Sequence, residues 1–268
     1  MRIEKPTAKD LYLDLMKTSL LGSIYPDLDT FIWPPSAPLR WFLRKLLPAN
    51  VRLSRLISLE ERGTSWPSHA YTMVGPKRLD NIRFCIEDVL AQDVAGDFIE
   101  TGVWRGGAVI FMRSVLKAND VHDRIVWAAD SFEGLPKPDA SKYPADSGDV
   151  HHLISELAVS LDQVQANFRA FNLLDDQVQF LKGWFKDTLP KAPLKKIALA
   201  RLDGDLYEST MDALTHVYPK LSTGGYLIID DYEVPTCKKA LHDYRDANAI
   251  KEPLQPIDGE GVFWQKAR

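Results

Sequence analysis

Two apolar runs in the C-terminal half of the chain end in aspartates. Ile197-Ala198-Leu199-Ala200-Arg201-Leu202 leads into Asp203-Gly204-Asp205, and Gly225-Tyr226-Leu227-Ile228-Ile229 leads into Asp230-Asp231. Both read as β-strands, with a helical segment from Ser209 to Tyr218 between them. A right-handed β-α-β unit sets its strands side by side or nearly so, neighbours being about 4.8 Å apart. Asp203, Asp230 and Asp231 are therefore expected to converge at the carboxyl edge of one sheet. Carboxylates that close raise one another's pKa unless a cation neutralises them. Oxygen-only ligation suits Mg²⁺ or another hard divalent ion. Helix capping by Asp203 or Asp205, with a turn at Asp230-Asp231, is the competing reading.

A second block with chemical meaning is Glu100-Thr101-Gly102-Val103-Trp104-Arg105-Gly106-Gly107. It lies between a strand-like run, Gly96-Asp97-Phe98-Ile99, and the start of an apolar helix at Ala108. Glycines in such a turn let the backbone approach a ligand, and the helix N–H groups point at it. The dinucleotide spacing G-x-G-x-x-G is absent. A carboxylate ending the strand suits a ligand with a cationic amino group rather than a pyrophosphate, and this points to S-adenosylmethionine (SAM). The next strand, Ile125 to Ala129, ends in Asp130-Ser131-Phe132. An acidic residue some 20–30 positions beyond the glycine turn is where doubly wound folds bind ribose hydroxyls. Capping of its own turn by Asp130 is the alternative.

Proton acceptors are few. Asp203 is one, Asp205 another, and His151 and His152 lie in a polar stretch from Glu133 to Val159. That stretch is too long for an ordinary connection and reads as a functional cover. A surface histidine pair would explain the same residues. Gly183-Trp184-Phe185 follows a third strand, and its aromatics suit either an adenine ring or the core.

These blocks together resemble the macrocin O-methyltransferases, which use SAM and Mg²⁺ to methylate sugar hydroxyls of macrolides, with relatives acting on aminocoumarin sugars. The resemblance runs from about Tyr71 to the C-terminus. It passes through Thr72-Met73-Val74-Gly75, the 100–107 block, Asp130-Ser131-Phe132, Gly183 to Thr188, Asp203-Gly204-Asp205 and Ile229 to Tyr232. It implies SAM contacts at Met73, Val74, Glu100, Thr101, Gly102, Val103, Arg105, Gly107, Asp130, Ser131, Phe132, Gly183 and Trp184. It further implies metal ligation by Asp203, Asp230 and Asp231, with a small hydroxyl-bearing acceptor, a glycosylated natural product. A lipid- or polysaccharide-linked sugar is the alternative acceptor, and a non-catalytic nucleotide-binding module the alternative class. The catechol-type metal-dependent methyltransferases, more distantly similar, carry a lysine base three residues after the first metal aspartate. This chain has Leu206 there.

The elements that must position these residues alternate. Strands are expected near 97–102, 125–131, 178–183, 197–203 and 226–231, and helices near 77–91, 107–118, 160–172, 208–219 and 236–247. Residues 254–257 and 262–264 read as a closing antiparallel pair. Alternation predicts an α/β, doubly wound parallel sheet with ligands at the carboxyl ends of its strands. The resemblance adds a Rossmann-like seven-stranded methyltransferase order with one antiparallel strand at the end. Residues 76–268 are expected to form this core and residues 1–75 a helical lid. In the lid, Ala8 to Leu21 is an amphipathic helix with Leu11, Tyr12, Leu15 and Met16, or Leu11, Leu15 and Thr18, on its apolar stripe. Residues 39–57 are basic and proline-broken, and Trp33, Trp41 and Trp66 are suited to covering an acceptor, with a homodimer contact also expected.

The chain has 268 residues, a formal net charge of −4 and two cysteines. That charge gives no nucleic-acid footprint, and Cys85 and Cys237 offer no disulfide framework. No signal peptide or membrane span is apparent, so a cytoplasmic enzyme is expected.

Overall fold

A computed structural model describes residues 5–24, 31–32, 65–66 and 69–267 of the chain. Helix α1 (Ala8–Leu20) is followed by two short strands, β1 (Phe31–Ile32) and β2 (Ser65–Trp66), which pair antiparallel. Then come α2 (Pro76–Ala91), β3 (Asp97–Thr101), α3 (Gly107–Ala118), β4 (Val126–Asp130), α4 (Leu161–Ala170) and β5 (Val178–Lys182). After these follow α5 (Phe185–Thr188), β6 (Ile197–Leu202), α6 (Tyr207–Val217), β7 (Leu221–Ile229), α7 (Pro235–Ala247), β8 (Gln255–Pro256) and β9 (Val262–Gln265).

The main sheet has seven strands in the order β5-β4-β3-β6-β7-β9-β8. The first five run parallel, and the order reverses between β3 and β6, the place where doubly wound sheets bind ligands. Only β9 opposes the others. It is not the outermost strand as expected, because the two-residue β8 pairs outside it.

Alternation along the strands builds two cores. Phe98, Ala128, Leu199, Ile228 and Phe263 face α1, α2, α3 and α4, whereas Ile99, Trp127, Ala200, Leu227 and Trp264 face α6 and α7. Central β6 is buried at every position, as a parallel strand covered on both faces must be. Each large side chain so buried contributes roughly 1.5–3 kcal/mol.

Helix α1 starts at a capping box, in which the Thr7 hydroxyl accepts from Asp10 N–H and the Asp10 carboxylate accepts from Thr7 N–H. The apolar stripe expected for it is corrected by one step around the helix. Leu13, Met16 and Leu20 are buried, while Leu11 and Leu15 are 57% and 59% exposed. The buried set joins the core with α2 and α3, and Lys17 and Arg83 add ion pairs between α1 and α2. This helix thus packs its buried face into the core. Residues 39–57, Trp33 and Trp41 lie outside the described residues. Among the described residues no helix is long and apolar enough to cross a membrane.

Candidate active site

The carboxyl ends of β3, β4, β6 and β7 meet at two adjoining cavities. Met73, Gly102, Trp104, Leu157, Asp203 and Asp205 line both. The first cavity adds Asp130, Ser131, Leu135, Pro136 and Trp184, and the second adds Val74, Glu100, Val103, His151, Asp230 and Asp231.

Local backbone geometry makes the cradle. Gly102 and Gly106 are left-handed, with φ of +85° and +90°, and Gly106 caps α3. Trp104 also has positive φ, +47°, which a bulky side chain adopts only when its surroundings hold it there. Its indole N–H donates to the Glu156 carbonyl at 2.9 Å, tying the turn to the long 133–159 segment. Asp130 organises the same region. Its Oδ2 accepts the amide N–H of Val103 at 2.6 Å and of Trp104 at 3.4 Å, and its Oδ1 accepts that of Phe132 at 2.7 Å. Burial pushes its pKa up, against the pull of these amides. The turn-capping and ligand-lining readings of Asp130 therefore coexist.

The aspartates gather as an ionic cluster. One oxygen each from Asp203, Asp205 and Asp231 lies within 4.8 Å of the others. Asp231 Oδ2 accepts the amide N–H groups of Gly204 and Asp205, both at 3.2 Å. Asp230, expected beside Asp203 and Asp231 as a ligand, has an arginine at each oxygen. Arg78 Nη1 is 2.5 Å from Oδ2, and Arg201 Nη2 is 2.6 Å from Oδ1. Arg201 also pairs with Glu100 and lies 3.0 Å from Asp203, and Arg78 lies 2.7 Å from Asp258.

Charge balance separates these acids. Burial works to raise the Asp230 carboxyl, but Arg201 and Arg78 outweigh it and hold it below the usual carboxylate range. Burial and then Asp231 drive Asp203 well above that range. Burial, followed by Asp203 and Asp149, pushes Asp205 up to about 8; burial, followed by Asp205, pushes Asp231 up to about 7. If ionised together, Asp203, Asp205 and Asp231 would carry more negative charge than the arginines offset, and an all-oxygen donor set of that kind fits a hard divalent cation. Glu100 fits a cationic ligand group for a separate reason. It is 1% exposed, and its Oε2 has no hydrogen-bond partner among the described residues.

Other residues expected to bind cofactor stand back from the cavities. Thr101 and Phe132 are buried, Phe132 edge-on to Phe180. Arg105 donates to the Ala70 carbonyl at 2.8 Å and stacks over Trp104. Gly107 abuts the Tyr71 carbonyl so closely that a Cβ would sit 2.5 Å from its oxygen. Gly183 turns the chain at φ +135° and donates to the Asp130 carbonyl. Of the two histidines only His151 lines a cavity, while His152 Nδ1 is buried without a hydrogen bond among the described residues.

Arg78, Trp104, Asp146 and Arg201 escaped the sequence reading. A charged residue inside the aliphatic run 197–202 was a usable signal for Arg201. Arg78 had none, since Asp230 is 152 positions away.

Residues 9–266 match the family model described as macrocin O-methyltransferase (TylF). The chain is 52% identical over 260 residues to the 8-demethyl-8-(2,3-dimethoxy-alpha-L-rhamnosyl)-tetracenomycin-C 4'-O-methyltransferase of Streptomyces olivaceus, covering 96% of this chain and 93% of that one. It is 45% identical over 264 residues to the mycinamicin III 3''-O-methyltransferase of Micromonospora griseorubida, covering 97% and 98%. The solved structure of the O-methyltransferase NovP superposes with a TM-score of 0.85 at 47% identity, covering 97% of this chain and 100% of that one. A calicheamicin methyltransferase, at 19% identity and a TM-score of 0.55, shares the fold. With a matching family model over nearly its whole length and relatives this similar, the chain belongs to the macrocin O-methyltransferase family and is an O-methyltransferase.

Proposed function

We propose that the protein transfers a methyl group from SAM to a hydroxyl on the sugar of a glycosylated natural product, with a divalent cation at the aspartate cluster. The observation that carries this reading is the meeting of the two cavities at Asp203 and Asp205, beside the glycine turn. Support for a sugar acceptor comes from the relatives, named for rhamnosyl-tetracenomycin, novobiocin and mycinamicin substrates.

SAM supplies an electrophilic methyl group on a sulfonium centre. In this reading Glu100 Oε2 takes its ammonium group, Asp130 and Ser131 its ribose, and Trp184 its adenine. Met73, Val74, Gly102 and Val103 form the remaining wall. Asp203 and Asp231 would hold the cation, with Asp230 as the third ligand that the family resemblance implies. A divalent cation in that place supplies Lewis acidity toward the acceptor hydroxyl. Asp205 lines both cavities and has no arginine against its carboxylate among the described residues, so it receives the hydroxyl proton. Arg201 keeps Glu100 and Asp203 at fixed separation, which holds the ammonium subsite and the cation subsite in register. Fixing both reactants in line supplies much of the acceleration.

Methyl transfer from labelled SAM to a panel of glycosylated aglycones, with the free sugars and aglycones as controls, tests this reading. Label recovered on a sugar oxygen supports it; label only on an aglycone, or none with any acceptor, removes it.

A further inference from the structure

The segment between β4 and α4 holds two carboxylates aimed at structure rather than solvent. Asp146 is fully buried, and its Oδ1 and Oδ2 accept the amide N–H groups of Tyr207 at 2.6 Å and Glu208 at 3.0 Å. Helix α6 has no side-chain cap from its own N-cap residue, Leu206, so Asp146 caps it from 61 positions away. The segment is thereby fixed to the turn that carries Asp203 and Asp205. Three residues on, Asp149 N–H donates to the Asp146 carbonyl at 3.2 Å. The Asp149 carboxylate then takes both ends of His151: Oδ1 accepts its backbone N–H at 2.9 Å, and Oδ2 lies 2.6 Å from ring Nδ1. His151 lines the cavity that also holds Asp203, Asp205 and Asp231.

We propose that Asp149 is a positioning residue for His151, fixing the ring as its Nδ1–H tautomer so that Nε2 accepts a hydrogen bond from the sugar acceptor; this rests on the function proposed above. A carboxylate is an acceptor only, so the nitrogen facing Asp149 Oδ2 must carry the proton. A neutral ring then has its lone pair on Nε2, and an acceptor nitrogen matches a sugar, whose hydroxyls are donors. The backbone contact decides what an amide would do in place of the carboxylate. His151 N–H needs an oxygen, so in Asp149→Asn the carboxamide oxygen stays there and the NH₂ group meets Nδ1. That donor pairs only with a bare Nδ1, which moves the ring proton to Nε2. The acceptor hydroxyl then faces a donor.

The tautomer is read by long-range ¹H–¹⁵N NMR of the imidazole in the full chain without acceptor. Wild type is expected to show Nδ1–H at His151, and Asp149→Asn to show Nε2–H. In the labelled-methyl assay, kcat of Asp149→Asn is expected to fall about 10- to 10²-fold with the KM for SAM unchanged, the range for an acceptor hydrogen bond replaced by a donor facing a donor. His151→Ala and the double variant Asp149→Asn/His151→Ala are expected to be similarly slow, because Asp149 acts on the acceptor through the ring and on Asp205 only as one nearby charge among several. An unchanged tautomer in Asp149→Asn overturns the proposal. So does a double variant slower than His151→Ala by the full Asp149→Asn factor, or a His151→Ala enzyme within twofold of wild type. A wild type that methylates no glycosylated acceptor defeats the proposed function instead, and the tautomer remains readable in that case.

Discussion

Gly102 packs against Asp203 so closely that a Cβ on the glycine would stand 1.9 Å from the Asp203 carbonyl oxygen. The glycine turn and the first aspartate of the cluster are therefore adjacent backbone segments, joined also by the Asp203 N–H to Thr101 carbonyl hydrogen bond at 2.9 Å. Gly102 is the residue type that this approach permits, with φ at +85° as a second requirement.

Gly102→Ala is accordingly expected to lose SAM binding and to separate the two strand ends. Calorimetric titration with SAM, alongside circular dichroism to establish folding, checks this. A folded variant with wild-type affinity would show that the turn has room to adjust.

The buried arginine has a different signature. Arg201 is 2% exposed and pairs with Glu100 and Asp230, which are 1% and 4% exposed. Arg201→Met leaves Glu100 without its arginine and Asp230 with Arg78 alone, at a cost of about 3–5 kcal/mol. Urea unfolding at neutral pH reads the loss, and a change under about 1 kcal/mol would mean that the acids simply take up protons.

Cation dependence separates the aspartates. EDTA is expected to abolish methyl transfer, and Mg²⁺ to restore it. Asp203→Asn and Asp231→Asn are expected to raise the Mg²⁺ concentration needed for half-maximal rate by roughly tenfold or more, as loss of a charged oxygen ligand should. Asp230→Asn loosens Arg78 and Arg201 as well, so it is expected to lower the melting temperature in addition to raising the Mg²⁺ requirement. Full activity in chelator would leave acid–base chemistry alone.

A pH effect is expected far from the site. Arg113 donates from Nε and Nη2 to Asp175, at 3.0 and 2.6 Å. Burial works to raise the Asp175 carboxyl, but Arg113 outweighs it and holds the pKa below the ordinary value. A depressed folded-state pKa contributes stability above the unfolded-state pKa, and that stability is lost as pH falls through the folded value. The melting-temperature gap between wild type and Asp175→Asn is thus expected to be present at about pH 7 and to close on acidification below about pH 4. A gap independent of pH would show that packing, not charge, sets it.

The N-terminal segment divides in two. Leu13→Ala or Leu20→Ala is expected to cost about 2–5 kcal/mol, because both side chains are fully buried against α2 and α3. Deleting residues 1–60 would remove this helix and damage the core. Replacing residues 33–64 by a short Gly-Ser linker tests the acceptor cover instead. We expect SAM affinity to persist and the acceptor KM to rise. An unchanged acceptor KM would assign those residues another role.

Periodicity and motif order carried most of the fold. Strands β3 to β6 and helices α2, α3, α4, α6 and α7 fall within a few residues of their expected places, because fully apolar runs and glycine punctuation are local properties; β7 begins earlier, at Leu221, and the one-turn α5 was not expected. The place of the aspartates was legible for the same reason, as Asp203 and Asp230 directly follow apolar runs, but the grouping of Asp205, rather than Asp230, with Asp203 and Asp231 was not. Which acids share a cation and which belong to arginines was not legible. That depends on Arg78 and Asp230, 152 positions apart, and on Arg201 reaching Glu100 across the β3–β6 pairing. The direction of the α1 stripe was also undecided by sequence. Leu11, Leu13, Leu15, Met16 and Leu20 support more than one apolar face, and contact with α3 chose Leu13, Met16 and Leu20. Nor could the sequence join Asp146 to the start of α6, or set Asp149 against His151 inside the cavity of Asp205. Local sequence fixes backbone conformation through steric and hydrophobic pattern. Partnerships among buried charges are decided by which chain segments the sheet brings within a few ångströms.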